Sequence, residues 1–292
     1  MSLLTALGKP QYLFRPRWAL RRLLMELGIS QFQEIVRLPW GSKLELELTD
    51  PVGIAIASQG LYEFMTTEVV WRLTQKGDRT FDVGANVGYF TSLLAHRVGP
   101  AGAVLAFEPH PGTLARLQRN VALQGRNGGL IVTYGTALGE TDGEGILDLL
   151  PQRLSHTSYA FLTDKPSCTS LNVKISRGDK FMVEGNVGLM KIDAQYQEAA
   201  VLKGFGKYLR SGAIRDIVFE EELPYPADSH CVLLDAGYSI FWFEEHLAGP
   251  RLIAPTMKPK NLRPYDIPCS FLATLNPERA ERLLSPSGWQ SF

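Results

Sequence analysis

The 292-residue sequence has little cysteine, no surplus of either charge and no long apolar run, and each shortage removes a class of protein. Its three cysteines, Cys168, Cys231 and Cys269, lie far apart without a C-x-x-C pair. That supports neither a zinc site nor a disulfide framework, and it fits a reducing cytoplasm. Lys and Arg number 30 and Asp and Glu also number 30, giving zero formal charge, whereas a general nucleic-acid binder carries a basic surplus. No uninterrupted apolar stretch reaches membrane-spanning length, and the N-terminus lacks a signal-peptide pattern. Internal repeats are absent, and no linker divides a chain whose length suits one large α/β domain with additions or two small ones. The expectation from these absences is a soluble, cytoplasmic globular protein that buries a substantial core without staples.

The stretch around which the rest is organised is Thr80 to Pro109, TFDVGANVGYFTSLLAHRVGPAGAVLAFEP. Phe81-Asp82-Val83 reads as the end of a short apolar strand. Gly84-Ala85-Asn86-Val87-Gly88 then leaves little side chain where a ligand approaches the backbone. Phe90, Leu93, Leu94 and Val98 fall at helical spacing over Tyr89 to Val98, so the turn feeds a helix N-terminus. Pro100 and Gly102 stop that helix, and Ala103 to Phe107 is a second buried strand closing on Glu108-Pro109. Strand, crossover helix and parallel strand make a right-handed βαβ unit with its ligand crevice at the carboxyl ends of the strands.

The residues in the turn narrow the ligand. Dinucleotide sites use G-x-G-x-x-G so that the backbone can touch a pyrophosphate. Here the order is Asp82, Gly84, Asn86, Gly88, and Asn86 occupies the position of the middle glycine, where it crowds a pyrophosphate. An acid and an amide beside open backbone suit S-adenosylmethionine better, because that ligand carries a sulfonium, an ammonium and a carboxylate but no phosphate. Glu108, ending the second strand, is placed to accept hydrogen bonds from two ribose hydroxyls.

Beyond the bare pattern, FDVGANVGYFT…VLAFEPHPGTLARLQRNV resembles the first two motifs of the FkbM family of S-adenosylmethionine-dependent methyltransferases. Gly60-Leu61-Tyr62-Glu63 resembles that family's G-x-Y-E segment, and Thr136-Ala137-Leu138-Gly139 its third motif. Lys191-Ile192-Asp193, Glu198 and Val201-Leu202-Lys203-Gly204 resemble its K-I-D-V-E-G-x-E…L-K-G signature. These matches run in the family's order over roughly residues 50 to 225. The resemblance implies a Rossmann-like class I methyltransferase fold of the α/β class: a mostly parallel central sheet with flanking helices, an N-terminal helical and hairpin extension, and a β insertion. It implies a donor site made of Glu63, Asp82, Gly84, Asn86, Gly88, Tyr89, Glu108, Pro109, Ala137 and Leu138. One departure stands out. Where the family pattern has V-E-G after K-I-D, this chain has Ala194-Gln195-Tyr196, which points to an altered acceptor preference or reduced activity.

Elsewhere the reading is coarser. Residues 1 to 40 read as helical, with Arg15, Arg17, Arg21 and Arg22 opposite an apolar side. A helix packed on the core with solvated arginines is preferred there to peripheral contact with an anionic membrane. Leu44 to Leu48 alternates as a half-buried strand, and Ile54 to Ala57 reads as its hairpin partner. Met65 to Gln75 and Gly112 to Gln124 are helices, the second with His110 at its start as a cap. Glu63 is either a plain helix-start acid or a ligand contact. Leu130 to Tyr134 is a strand, and Gly135 to Gly139 the loop that lies against the adenine. Residues of about 143 to 183 form an insertion of short strands (145–150, 159–162 and 171–175), which either lines a substrate pocket or extends the sheet edge as a hairpin. Val187 to Ile192 and Ile214 to Phe219 are core strands, with helices over 199–209 and 228–236 and late strands over 238–243 and 269–275. Residues 248–268 form a loop or arm. The expected division is an extension over 1–58, a methyltransferase core over 59–247, and a C-terminal arm with the last strand over 248–292.

Asp82, Glu108, Asp193 and Glu220 each fall at the carboxyl end of a parallel strand, and unpaired carboxylates are costly to bury as mere packing. Asp193 is the first candidate for the base or a metal ligand, Glu220 the second and His156 the third. A divalent metal bridging Asp193 and Glu220 is an option that no ligand spacing demands. The expected activity is methyl transfer to a hydroxyl of a small or medium acceptor, such as a sugar, glycolipid or polyketide, free or carried on a glycan or lipid. Two other readings remain: a methyltransferase-fold module that binds without turnover, and a nicotinamide-dependent oxidoreductase, against which Asn86 counts.

Overall fold

The computed structural model describes residues 16–17, 20, 35–47, 51–125, 128–149, 160–163, 170–182, 185–246, 248–256, 270–285 and 288–291. The basic N-terminal stretch lies mostly outside them, although Pro16, Arg17 and Leu20 are helical. Residues 1 to 40 are not helical throughout, because Ile35–Arg37 (β1) pairs antiparallel with Lys43–Glu45 (β2). This is the hairpin of the extension. The expected partner of residues 44–48 is instead a helix, α1, over Pro51–Gln59. Its Ile54/Ile56 alternation mimics a strand, but Val52, Ile56 and Ala57 are the buried positions, which is helical spacing. Pro51 opens the helix at a position where its missing N–H costs nothing.

From here the expected elements appear in order. Phe64–Leu73 (α2) leads to Arg79–Val83 (β3), Tyr89–Val98 (α3), Ala103–Phe107 (β4), Pro111–Ala122 (α4) and Leu130–Tyr134 (β5). Ala137–Gly139 then forms a short strand, β6, where a loop was expected. It pairs with Leu171–Arg177 (β9), which also pairs with Gly143–Leu149 (β7), itself paired to Ala160–Thr163 (β8). The insertion is thus a separate four-stranded sheet, ordered β6-β9-β7-β8, and not an extension of the main sheet's edge.

Val187–Ile192 (β10) follows, then Glu198–Gly204 (α5) and Gly206–Arg210 (α6), where one helix was expected. The break is steric. A Cβ on Gly204 would lie 2.2 Å from the Gly139 carbonyl oxygen, so α5 packs against β6 through bare backbone, and Phe205 turns under the sheet fully buried. Ile214–Glu220 (β11), Asp228–Asp235 (α7), Ser239–Glu244 (β12), Arg251–Ile253 (β13), Ser270–Thr274 (β14) and Pro277–Leu283 (α8) complete the described chain. β13 lies inside the expected arm, and α8 was not foreseen.

The main sheet has the order β13-β12-β14-β11-β10-β3-β4-β5. β5, β4, β3, β10 and β11 are parallel neighbours, while β14 runs antiparallel to β11 and to β12. Two cores form on its two faces. On one, Leu44, Ile56, Val69, Leu73, Leu93 and Leu94 join the hairpin, α1, α2 and α3. On the other, Phe81, Phe107, Val201, Phe205 and Phe219 gather under α5, α6 and α7. Each fully buried side chain of this size contributes about 2–3 kcal/mol relative to exposure. β3 leads to β4 on one side and borders β10 on the other, so the strand order reverses at β3 and opens a crevice above its carboxyl end. Among the described residues no helix is long and apolar enough to cross a membrane.

Candidate active site

Three left-handed residues shape the turn after β3: Gly84 at φ +76°, Asn86 at φ +49° and Gly88 at φ +92°. A Cβ on Gly84 would sit 1.9 Å from the Asp193 carbonyl oxygen, so only glycine lets the turn close against the end of β10. Asn86 tolerates the left-handed conformation better than most side chains. Its Oδ1 accepts from the Val87 N–H at 2.7 Å, and its own N–H donates to Glu108 Oε2 at 3.0 Å. Glu108 Oε1 accepts from the His110 N–H at 2.9 Å, and His110 Nδ1 accepts from the Thr113 N–H at 3.2 Å, capping α4 as expected. A pyrophosphate would find these turn amides already taken and would face a carboxylate. Burial pushes the Glu108 carboxyl up to about 7, against the pull of its two backbone donors.

Above the turn lies an open cleft of about 670 Å³, including its mouth. Gly84, Asn86, Glu108 and Pro109 form its base, Thr136, Ala137 and Leu138 one side, and Asp193 to Gln195 the other. Leu147 and Leu162 reach in from the second sheet, so the insertion does line the pocket. A cleft with one carboxylate held at its base and apolar walls of Phe107, Leu138 and Leu147 suits a nucleoside: the acid for a vicinal diol, the walls for a base.

A second cavity of about 490 Å³ shares Gly84, Asn86, Asp193 and Gln195 with the first and continues behind the turn to Tyr62, Tyr89, Phe90, Lys191 and Glu220. Strand parity assembles it. Lys191 pairs in register with Asp82 on β3 and with Val218 on β11, so Lys191, Asp193 and Glu220 all point to the face covered by α1, α2 and α3. Lys191 Nζ donates to Asp193 Oδ2 at 3.0 Å and stands 4.7 Å from the Phe90 ring centroid. Gln195 Nε2 donates to Asp193 Oδ1 at 2.9 Å, so both carboxylate oxygens of Asp193 are engaged.

Two other acids make no ion pair among the described residues, although the Tyr62 and Thr66 side chains hydrogen-bond to one of them, Glu63. Among the described residues the Glu220 carboxyl makes no hydrogen bond or ion pair, and burial followed by repulsion from Asp193 and Glu63 drives it well above the usual carboxylate range. Glu63, at φ +40° just before α2, has an enclosed Oε2 without a hydrogen-bond partner. Burial raises its carboxyl, and Lys191 pulls it back. The Tyr62–Glu63 turn is fixed from beneath. Tyr62 N–H donates to the Tyr89 hydroxyl at 3.1 Å, and Thr67 Oγ1 donates to the Tyr62 carbonyl at 2.7 Å. The same surroundings, burial first, raise the Tyr62 phenol strongly.

The structure therefore brings together Gly84, Asn86, Glu108, Pro109, Ala137 and Leu138 around the cleft, and Tyr89, Asp193 and Glu220 around the adjoining cavity. Asp82 needs correcting. It is fully buried beneath the turn, where Oδ2 accepts from Thr91 Oγ1 at 2.5 Å and Oδ1 is unpartnered, and it lines neither cavity. Its parity turns it toward α3 and away from the rim. Gly88, the left-handed residue that starts α3, and Glu63 also stay out of the lining of both cavities. His156 lies outside the described residues. No group of three His, Cys, Asp or Glu side chains with metal-binding geometry occurs among the described residues. Sequence reasoning did not assign Lys191, Tyr62 and Gln195 to the site, nor Leu147 and Leu162. The signal for Lys191 was present, since K-I-D spacing on a strand puts Lys191 and Asp193 on one face.

Gln195 and Tyr196 both lie in the left-handed region, at φ +46° and +72°. Tyr196 is 60% exposed, and its hydroxyl donates to Glu222 Oε2. Glu198 is buried and accepts the Ala194 N–H at 3.0 Å, closing the loop between β10 and α5. Burial pushes its carboxyl up to about 7.

A family model described as the methyltransferase FkbM domain matches residues 82–240. Methyltransferase 1 of Beauveria bassiana is 29% identical over 144 residues, covering 42% of this chain and 56% of that protein. Hexuronic acid methyltransferase AglP of Haloferax volcanii is 28% identical over 140 residues, covering 47% of this chain and 54% of that protein. The chain thus spans about half the length of these relatives. Among solved structures, a methyltransferase FkbM from Methylobacillus flagellatus aligns over 74% of this chain and 46% of its own, with TM-score 0.40 and 16% identity. An S-adenosylmethionine-dependent O-methyltransferase from Thermotoga maritima aligns over 86% of this chain and 80% of its own, with TM-score 0.39 and 14% identity.

Proposed function

The chain belongs to the FkbM methyltransferase family, and we propose that it moves a methyl group from S-adenosylmethionine to a hydroxyl oxygen of a sugar, glycolipid, polyketide or similar acceptor. The observation that carries this reading is the pair of joined cavities. One offers a carboxylate at its base and apolar walls, and the other an acid, Glu220, with no partner among the described residues. The residues present fit the donor. Glu108 is held by two amides, one on each oxygen, and keeps acceptor capacity for ribose hydroxyls. Phe107, Leu138, Leu147 and Leu162 enclose the base. Bound there, S-adenosylmethionine supplies a methyl carbon on a sulfonium, and the electron pair of the broken carbon–sulfur bond stays on sulfur.

The remaining work falls to this chain. It must hold an acceptor hydroxyl in line with the methyl group and remove its proton. Asp193, the first candidate from the sequence, already accepts from Lys191 and Gln195. Its role is to hold those two side chains and the shared wall. Glu220 takes the base role instead, since its carboxyl faces the cavity with no competing donor among the described residues. Tyr62 and Tyr89 supply the aromatic side of the acceptor pocket.

Titration of the purified chain with S-adenosylmethionine, followed by calorimetry, tests the first step. Saturable binding that Glu108→Ala abolishes while the circular dichroism spectrum is unchanged supports the reading, and absence of binding by the native chain refutes it. The alternative of binding without turnover drew on Gln195 and Tyr196. It loses force because Gln195 completes the Asp193 contacts and Tyr196 points outward to Glu222.

A further inference from the structure

We propose that a cation entering the donor cleft drives deprotonation of Glu220, so that the base is armed only while the methyl donor is in place. The inference rests on the methyl-donor reading of that cleft.

Its basis is a count of charges around one cavity. Lys191 and Asp193 come from β10, Glu220 from β11 and Tyr62 from the turn before α2, while Glu63 of that turn, Asp82 of β3 and Glu198 of α5 stand outside the lining but within electrostatic reach. Tyr89 is the titratable group contributed by α3, and the β14 residue in register with Glu220 is the uncharged Ser270. Four carboxyl groups, those of Glu63, Asp82, Asp193 and Glu220, thus act on one ammonium, which is committed to Asp193 at 3.0 Å. Gln195 occupies the other Asp193 oxygen at 2.9 Å. Glu63 and Glu220 make no ion pair among the described residues, and Glu63 Oε2 is sealed without a partner. Neither acid has a counter-charge of its own, so protons must supply the neutrality in the free protein.

The cavity shares the wall of Gly84, Asn86, Asp193 and Gln195 with the donor cleft. An opposite charge within about 4–6 Å lowers a carboxyl pKa by roughly 1–3 units. S-adenosylmethionine brings a sulfonium charge that its demethylated product, S-adenosylhomocysteine, lacks. The two ligands share the same ammonium and carboxylate, so the difference between them isolates the sulfonium. A carboxyl whose pKa falls on binding releases a proton. Donor affinity therefore rises with pH, by at most about tenfold per unit for one group. Product affinity does not follow. After transfer the charge is gone, Glu220 returns to its protonated form, and the product is held less tightly than the donor.

The experiment is isothermal titration calorimetry on the full chain near neutral pH, in buffers of different ionisation enthalpy, with each ligand in turn. S-adenosylmethionine should release up to about one proton more than S-adenosylhomocysteine, and Glu220→Gln should remove that excess while still binding both ligands. Glu63→Gln should keep most of it. Equal proton counts for the two ligands would overturn the inference and leave the donor reading standing. Excess release that survives in Glu220→Gln and vanishes in Glu63→Gln would also overturn it. Absence of binding by either ligand would remove the donor reading and this inference together.

Discussion

Lys191 and Asp193 sit two residues apart at the end of one strand and form an ion pair of 3.0 Å, with the lysine almost wholly buried and the aspartate about one-fifth exposed. Lys191 is the only cation among the described residues that line that cavity, where Asp193 and Glu220 are the carboxyls. Lys191→Met should cost about 3–5 kcal/mol, because removing one partner of a buried pair strands the other. Chemical denaturation checks this, with the loss expected to shrink at acid pH, where the stranded carboxyls take up protons.

Glu220→Gln should lower kcat by about 10²–10⁴-fold, the usual share of a positioned base, and leave donor affinity near its original value at low pH. Asp193→Asn should act differently. Loss of the Lys191 and Gln195 anchor should reduce stability together with activity. Comparison of melting temperature and turnover in the two variants separates a base from a holder.

Stability of the free protein should fall as pH rises through the neutral range. Glu108 and Glu198 are each raised from 4.5 to about 7 by burial. Below the unfolded value both states hold the proton and nothing is lost. Between the two values the unfolded chain releases its proton while the folded chain keeps it, so stability drops, reaching a loss on the order of 2–3 kcal/mol per group above the folded value. Glu108→Gln should flatten part of this slope, as thermal melts from pH 5 to pH 8 would reveal, and should weaken donor binding.

Tyr196→Gly should stabilise the protein. At φ +72° a tyrosine pays for a backbone shape that glycine adopts freely. The hydroxyl bond to Glu222 that would be lost is exposed and offsets little. A gain of about 1 kcal/mol, roughly 2–4 °C in melting temperature, is expected.

The C-terminal segment is tied to the site through α2. Glu68 accepts from the Gln290 N–H at 2.9 Å and the Ser291 N–H at 2.8 Å, Arg72 donates to the Ser285 carbonyl at 2.9 Å, and Trp289 stacks on Phe64 at 4.0 Å. Phe64 directly follows the Tyr62–Glu63 turn. Glu68→Gln should destabilise the chain by about 3 kcal/mol by breaking its buried pair with Arg72. Limited proteolysis should then cut the C-terminal segment sooner than in the native protein.

Much of this was legible in the residues. The boundaries of α3, β4, β5 and β10 follow from apolar periodicity bounded by Gly and Pro, a signal that needs only neighbouring residues. Ile54 to Ala57 misled because Ile54 and Ile56 alternate with alanines as in a strand, and only the buried face at Val52 and Ile56 decides for a helix. The break between α5 and α6 was hidden for a similar reason. It depends on how closely Gly204 approaches Gly139, sixty-five positions away.

By itself the sequence determined the βα turn, the run of strands and helices around it, and the acids that end β4 and β10, because each is written in local pattern. Only the tertiary structure decided which side chains meet. Register between β3, β10 and β11 set Asp82, Lys191 and Glu220 on one face, the packing of α3 buried Asp82 against Thr91, and Glu220 was left facing the cavity with no partner among the described residues. The physical reason is that a carboxylate's chemistry depends on the charges and donors within a few ångströms. In a parallel sheet those come from strands far apart in sequence.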